Sequence, residues 1–354
     1  LILMPFFSGA AFAKESAPSK LKILFIDELK LRDEKTESWG QYSLNGLRLG
    51  LKGKTNVEVV SVNVYRSPVL AYEAVQKYAK DVDLVMGLRT SAQALMAKKA
   101  ADQFHLPFIS IMATSDSLLS SDKSKSSVMM AARNRFQVEG LANELWTQKK
   151  KSFVGIITTK NCVYCVEMTE LVKKDLDKRN IPYKVIGQSL SQEPISQSLF
   201  DGTEKMSHIG LFVDEAGGMA AVAALKRRNY KGTVFGGDSW SINNIATESR
   251  EAYTGICLVN AVTHSESQVG SEFSKRYKSE FNRLPTNLAL LGYDSGLVLS
   301  ELVSKCKNER DDLRECFAKK ISKVKIRGTT GLITFEEDGG RSKDSLKIEK
   351  YGCK

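Results

Sequence analysis

Histidine is scarce in this chain. Three stand among 354 residues, His105, His208 and His264, far apart and flanked by apolar strand residues or by Ser and Thr. A metal site needs several convergent ligands, so these three read as core or surface residues and no metal is expected. Long apolar runs are missing too: after the first thirteen residues nothing reaches the ~20 residues that a membrane-spanning helix requires. Basic runs interleaved with aromatics are absent, as are zinc-finger and RNP-type signatures. The formal charge of +11 comes from Lys and Arg dispersed over polar helix faces such as "KKDLDKR", which is the pattern of solvated surface. Nucleic acid is therefore not an expected partner. There is no repeat of solenoid period and no low-complexity tract.

An apolar content of 42% and a charged content of 26% are those of a soluble globular protein, and the length suits two lobes of ordinary domain size. The leading stretch "LILMPFFSGAAFA" is an uncharged apolar run that ends in Ala11-Phe12-Ala13 and meets polar "KESAPSK" at once. That is the apolar core and small-x-small cleavage site of a secretory signal, so residues 1–13 are expected to be removed near Ala13 and the protein exported to a periplasm. No Cys sits at the cleavage point, so no lipid anchor is expected there. Six cysteines fit such an oxidising compartment. Cys306 and Cys316 flank "KNERDDLRE" in a helix–turn–helix and are expected to form a disulfide, closing a short loop worth roughly 3 kcal/mol at most. Cys257 and Cys353 lie in two late strands and could pair, while Cys162 and Cys165 form "CVYC".

Strand-like and helix-like runs alternate along the chain. "LKILFID" (21–27) precedes a helix at about 38–52, "VEVVSVNVY" (57–65) precedes one from Pro68, and "DLVMG" leads to one from Ser91, where Ala94, Ala97, Ala101 and Phe104 recur at helical spacing. "LPFISI" (106–111) follows. The pattern then restarts with "FVGIITT" (153–159), a helix at about 164–179, "YKVIGQ", a helix, "HIGLFV" (208–213), a helix at 217–229 and "TVFGG" (233–237). Short strand–helix connections of this kind predict parallel sheets covered on both faces, so the fold class is α/β with two doubly wound lobes. A Ser/Lys loop, "SSDKSKSS" (120–127), lies between the units. Two long helices, about 266–283 and 286–306, are expected to cover the first lobe. "GLITFEEDGGRSKDSLKIEKY" (331–351) reads as two strands joined by an Asp-Gly-Gly turn.

In such sheets ligands lie beyond the carboxyl ends of the strands. At one of these ends Gly87 allows close backbone approach, Thr90 and Ser91 supply hydroxyls, and the first helix turn offers unpaired N–H groups. The alternative for Ser91 is that it caps its own helix. Ser110, Thr114, Ser115 and Ser117 crowd the neighbouring strand end, and together the two ends suit an anion.

With these residues in view the chain resembles the type I periplasmic solute-binding proteins of ABC importers, the class that includes the leucine/isoleucine/valine-binding proteins. The resemblance rests on "WGQYSLNG", "GLRTS", "PFISIMAT", "GYDSG" and, most specifically, "GTTGLITFEEDGGR". It implies two lobes joined by three crossover strands, with residues 20–132 and 262–330 in the N-terminal lobe and 133–261 and 331–354 in the C-terminal lobe. It also implies roles. Ser91, Thr114 and the backbone of Met112 and Ala113 would hold a ligand α-carboxylate, with Thr90 beside them. Trp39 would form a wall of the cleft, Tyr164 would face it from the second lobe, and Asp238 of "GGDSW" would pair with a ligand amine. No cofactor is implied. The partners implied are a small amino-acid-like molecule and an importer permease, and a monomer is expected.

Several departures bear on the ligand. The loop after the first strand reads "DELKLRDEKTES" without the family's Gly-Pro, and Asp214 and Glu215 stand where relatives often carry an aromatic. Glu215 thus joins Asp238 as a candidate ligand-binding carboxylate, with Arg89 opposite on the first lobe as a further charge or a rim salt bridge. Met112 would narrow the pocket. Two other readings remain beside import: a ligand-sensing receptor component of the same fold, and a thiol–disulfide oxidoreductase built on Cys162-x-x-Cys165, since a Cys at a helix N-terminus is activated. Other catalytic patterns fail. "GYDSG" places Ser295 one position too late for a nucleophile elbow, and "SSDK" (120–123) lacks its companion motifs.

Overall fold

The structure, a computed structural model, describes residues 20–33, 37–53, 57–120, 126–146, 152–189, 196–240, 256–262, 268–306, 313–343 and 349–351. The first series runs β1 (Leu21–Asp27), α1 (Trp39–Leu51), β2 (Val57–Asn63), α2 (Pro68–Tyr78), β3 (Leu84–Gly87), α3 (Ser91–Gln103), β4 (Phe108–Ser110), the short α4 (Ser117–Ser120) and β5 (Ser127–Met129). The second runs α5 (Asn134–Leu145), β6 (Val154–Thr159), α6 (Val163–Lys178), β7 (Tyr183–Ser189), β8 (His208–Phe212), α7 (Glu215–Arg227), β9 (Thr233–Gly236) and β10 (Ile256–Asn260). Then come α8 (Gln268–Phe281), α9 (Asn287–Cys306), α10 (Leu313–Lys320), β11 (Ile326–Gly328), β12 (Gly331–Ile333) and β13 (Glu349–Tyr351).

The first sheet is wholly parallel in the order β2-β1-β3-β4-β5. The second sheet repeats that order as β7-β6-β8-β9-β10, with β13 added antiparallel to β10. Strand alternation fills both faces of each sheet. Ile23 and Phe25 of β1 pack with Leu44 and Leu47 of α1, while Leu24 and Ile26 pack with Val75 of α2 and Ala94 of α3. In the second lobe Ile157 and Leu211 enter one core, and Ile156 and Phe212 the other.

The late helices cover the first lobe as expected, and α9 lies against α1 with almost no side chain between them. A Cβ on Gly46 would stand 2.1 Å from the Ala289 carbonyl oxygen, and one on Gly292 2.1 Å from the Ser43 carbonyl oxygen. Asp294 of "GYDSG" accepts hydrogen bonds from Thr329 N (2.6 Å), Thr329 Oγ1 (3.0 Å) and Thr330 N (3.0 Å). It is a structural tie between α9 and the β11–β12 hairpin.

Two expectations are corrected. β12 and β13 do not pair with each other. β12 pairs back with β11, and Ile333 packs in the first-lobe core, while β13 crosses to the second sheet. What remains of the Asp-Gly-Gly turn is a single bridge between Phe335 and Arg341. Between β7 and β8 the described chain forms 3-10 turns, Gln197–Phe200 and Thr203–Lys205, rather than an α-helix. Disulfides join Cys306 to Cys316 and Cys162 to Cys165. Cys257 is also disulfide-bonded, and Cys353 lies outside the described residues, as do residues 1–13, His264 and most of the 120–127 loop.

The chain passes between lobes at three places, and the passages are stitched together. Met129 N donates to Gly339 O (3.0 Å) and Ala132 N to Ala261 O (3.1 Å). The fully buried Arg341 donates to Met130 O (3.1 Å) and Thr330 Oγ1 (3.0 Å). Its neighbour Arg133, equally buried, forms a two-pronged pair with Asp338.

Candidate functional site

The strand order reverses between β1 and β3 in one sheet and between β6 and β8 in the other, and crevices open at such points. At the first, β3 ends in Gly87, whose φ of +121° and 2.2 Å clearance from Ile26 O to any Cβ demand glycine. Leu88 follows with φ 71°, a conformation that costs energy in a non-glycine residue and sets the entry to α3. Thr90 is the cap of α3: its hydroxyl pairs with Gln93, accepting from Gln93 N (3.4 Å) and donating to Gln93 Oε1 (2.7 Å). Ser91 is the first helical residue instead, so its hydroxyl is not spent on capping. Ser91 is 4% exposed and Thr114 2% exposed, and among the described residues neither hydroxyl has a hydrogen-bond partner.

The N–H groups of Met112 and Ala113 both point to Leu88 O (3.4 and 3.3 Å), so within the lobe they share one acceptor. Met112 itself packs in the first-lobe core. Trp39 opens α1 and lines a cavity of about 240 Å³ with Leu31, Glu37, Ser38, Tyr42 and Arg66, all from the first lobe. Glu28 separates this cavity from the Ser91 end. It accepts from Ser38 Oγ (2.6 Å) and Arg66 Nε (2.9 Å), and Arg89 Nη2 lies 3.8 Å away. Arg89 thus makes the rim salt bridge. Beside it Asp27 is fully buried, and burial raises its pKa to about 6, with Arg89 opposing the rise.

The second-lobe wall comes from α5, α6 and the turn after β9. Tyr164 (9% exposed) and Asp238 (6% exposed) face one another there. Each perturbs the other's ionisation: burial first, then the Asp238 charge, hold the Tyr164 hydroxyl protonated far above its usual range, and burial raises Asp238 to about 6. Yet the Tyr164 hydroxyl, Asp238 Oδ1 and Gln137 Nε2 are all sealed from water with no well-formed hydrogen bond. The three partner one another loosely, Tyr164 and Gln137 hydrogen-bonding to Asp238 and opposing the rise in its pKa, so that each is left short of a well-formed bond. Gln137 holds the turn by accepting from Asp238 N (3.2 Å).

The first turn of α5 links the two walls. Asn134 N donates to Thr114 O (2.9 Å), and Gln137, one turn on, touches Asp238. The structure thus brings Tyr164 and Asp238 together on the second lobe and sets the Thr114 carbonyl against the first turn of α5, while Trp39 lines its own first-lobe cavity. Asp214 is the cap of α7, accepting from Gly217 N (2.8 Å), and the Glu215 side chain lies outside the described residues. Asn134, Gln137 and Glu167 went unread in the sequence. Glu167 of α6 reaches the first lobe and accepts from Asp116 N (2.6 Å), Ser117 Oγ (3.0 Å), Asn134 Nδ2 (3.1 Å) and Ser115 Oγ. The signal for Asn134 and Gln137 was their place in "ARNRFQ", where the chain enters the second lobe. Among the described residues no group of three or more His, Cys, Asp or Glu could hold a metal ion, and no helix is long and apolar enough to cross a membrane. Cys165 is buried, and the Cys162 sulfur accepts from Cys165 N (3.1 Å) at the start of α6.

No curated protein matches the sequence. Solved structures match at low identity. A leucine-binding protein, LivK, from Thermotoga maritima is 17% identical with a TM-score of 0.77, the match covering 93% of this chain and 97% of that one. The branched-chain amino acid substrate-binding protein LivJ from Streptococcus pneumoniae, in complex with isoleucine, is 17% identical with a TM-score of 0.76, over 95% and 97%. A solute-binding protein of an ABC transporter from R. palustris, in complex with benzoate, is 16% identical with a TM-score of 0.77, over 95% and 94%. The sequence model of the receptor family ligand binding region matches residues 47–352. The chain belongs to that family, and its two lobes have the type I periplasmic binding protein fold.

Proposed function

We propose that the protein is an extracytoplasmic binding protein that closes its lobes over an amino-acid-like zwitterion and presents it to the permease of an ABC importer. The observation that carries this reading is the placement of buried hydroxyls, Ser91 and Thr114, at the end of the first sheet and of a buried carboxylate, Asp238, with Tyr164 and Gln137 as its partners, at the end of the second. Hydroxyls suit a carboxylate, and a buried carboxylate with no cation among its partners suits an ammonium group. The solutes named with the similar structures, leucine, isoleucine and benzoate, have a carboxylate in common. Asp238 favours those that also carry an amine. Trp39 and Glu215 are further candidate contacts.

We read the chain as a binder rather than an enzyme, working as a monomer without a cofactor in a periplasm after removal of residues 1–13. The family and fold support the binding role. The Cys162–Cys165 disulfide is then a brace for the α6 turn that carries Tyr164. A sensing role on the same fold differs only in the membrane partner. The direct test is a thermal-shift screen of the purified protein against α-amino acids, amides, polyamines and simple carboxylates. An α-amino acid at a hundred times its dissociation constant should stabilise by about 2.7 kcal/mol. Equal stabilisation by benzoate would remove the amine from the reading.

A further inference from the structure

Glu167 has no place in ligand binding as described, yet it is the best-satisfied carboxylate between the lobes. Both its oxygens accept two hydrogen bonds: Oε1 from Asp116 N and Asn134 Nδ2, Oε2 from Ser115 Oγ and Ser117 Oγ. Three of these donors belong to the first lobe just beyond β4, and Asn134 stands where the chain enters the second. The cradle is braced by further bonds. Ser117 N donates to Ser115 Oγ (3.2 Å), and Asp116 Oδ2 accepts from Arg135 N (3.0 Å).

We propose that Glu167 is an intramolecular latch: its carboxylate fills an anion cradle on the opposite lobe and holds the cleft closed without a ligand. Four donors on one ionised group make charge-assisted bonds, the stronger kind. They add to the contacts that the first turn of α5 already makes with the first lobe, Asn134 N to Thr114 O and Arg135 N to Asp116 Oδ2. Glu167 lies one helical turn after Tyr164 on the same face of α6. Seating it therefore seats Tyr164 over the crevice, and the ligand enters a wall already placed. The cradle is separate from Ser91 and Thr114, so the protein's own carboxylate and a ligand's do not compete for donors.

The test is small-angle scattering of the full-length mature protein without ligand. Glu167→Ala should raise the radius of gyration, reflecting a shift of about tenfold or more toward the open form, as expected for losing charged hydrogen bonds. Glu167→Gln keeps the size of the side chain but not its charge and should fall between. Ser115→Ala with Ser117→Ala, on the other lobe, should reproduce the shift, and adding Glu167→Ala to that pair should add little. Superposable scattering of wild type and Glu167→Ala would overturn the latch, as would fully additive effects of the two sets. Circular dichroism on each variant confirms folding, and Glu167→Gln serves if the alanine variant does not fold. The latch makes no demand on ligand class, so its failure would leave the thermal-shift screen unaffected, and the reverse holds too.

Discussion

Asp238 is the residue on which the chemistry turns. Burial raises its pKa from 3.8 to about 6, with Tyr164 and Gln137 pulling it down. Between those values the folded protein keeps a proton that the unfolded chain would release, so this group favours folding on the acid side. That contribution fades as pH rises through about 6. A ligand ammonium needs the ionised form and must displace the proton. Affinity for an amino acid should therefore be level above pH 6 and fall about tenfold per unit below it. Asp238→Asn should weaken binding of amine-bearing ligands and flatten that profile. Asp27, also raised to about 6, keeps titrating in the variant, so calorimetric titrations at several pH values separate the two. A slope that survives Asp238→Asn would assign the proton elsewhere. On the other wall, Ser91→Ala with Thr114→Ala should cost about 1.5–3 kcal/mol per charged hydrogen bond, and unchanged affinity would place the carboxylate elsewhere. The sequence offered Ser91 as the cap of its own helix, and the structure gives that task to its neighbour Thr90, because adjacent hydroxyls compete for the same N–H. Only the backbone path through Gly87 and Leu88 assigns that task to Thr90.

Among the elements, α1 and α9 meet backbone to backbone. Gly292→Ala should force them apart against the Ser43 carbonyl at 2.1 Å and destabilise the first lobe by about 1–3 kcal/mol. A denaturant titration would show this as a lower midpoint, and an unchanged midpoint would mean that the helices yield freely. Most elements were readable because strand–helix alternation is local, and buried parallel strands write themselves as apolar runs. The pairing of α1 with α9 was not, since the glycines of each helix gain meaning only from the other, some 240 positions away. The Asp-Gly-Gly turn misled for the opposite reason. Its local signal is that of a hairpin, but Ile333 is drawn into the first-lobe core and β13 into the second sheet. Gln137 and Glu167 were invisible because a polar residue on an amphipathic helix reads as solvent-facing until another lobe comes to meet it.

At the scale of the whole molecule, the two sheets share one strand order and turn the same kind of edge toward each other. That repetition gives each sheet its own switch point, between β1 and β3 and between β6 and β8. The stitching of the three passages, Met129 to Gly339, Ala132 to Ala261, and Arg341 to Met130, has its own consequence. Parallel connections fastened side by side can flex together but resist sliding and twisting. The Glu167 cradle stands beside these passages, since its donor Asn134 follows the Ala132 crossing by two residues, so whatever loosens the cradle acts close to the pivot, where a small local change sweeps the far rims of the lobes through a large arc.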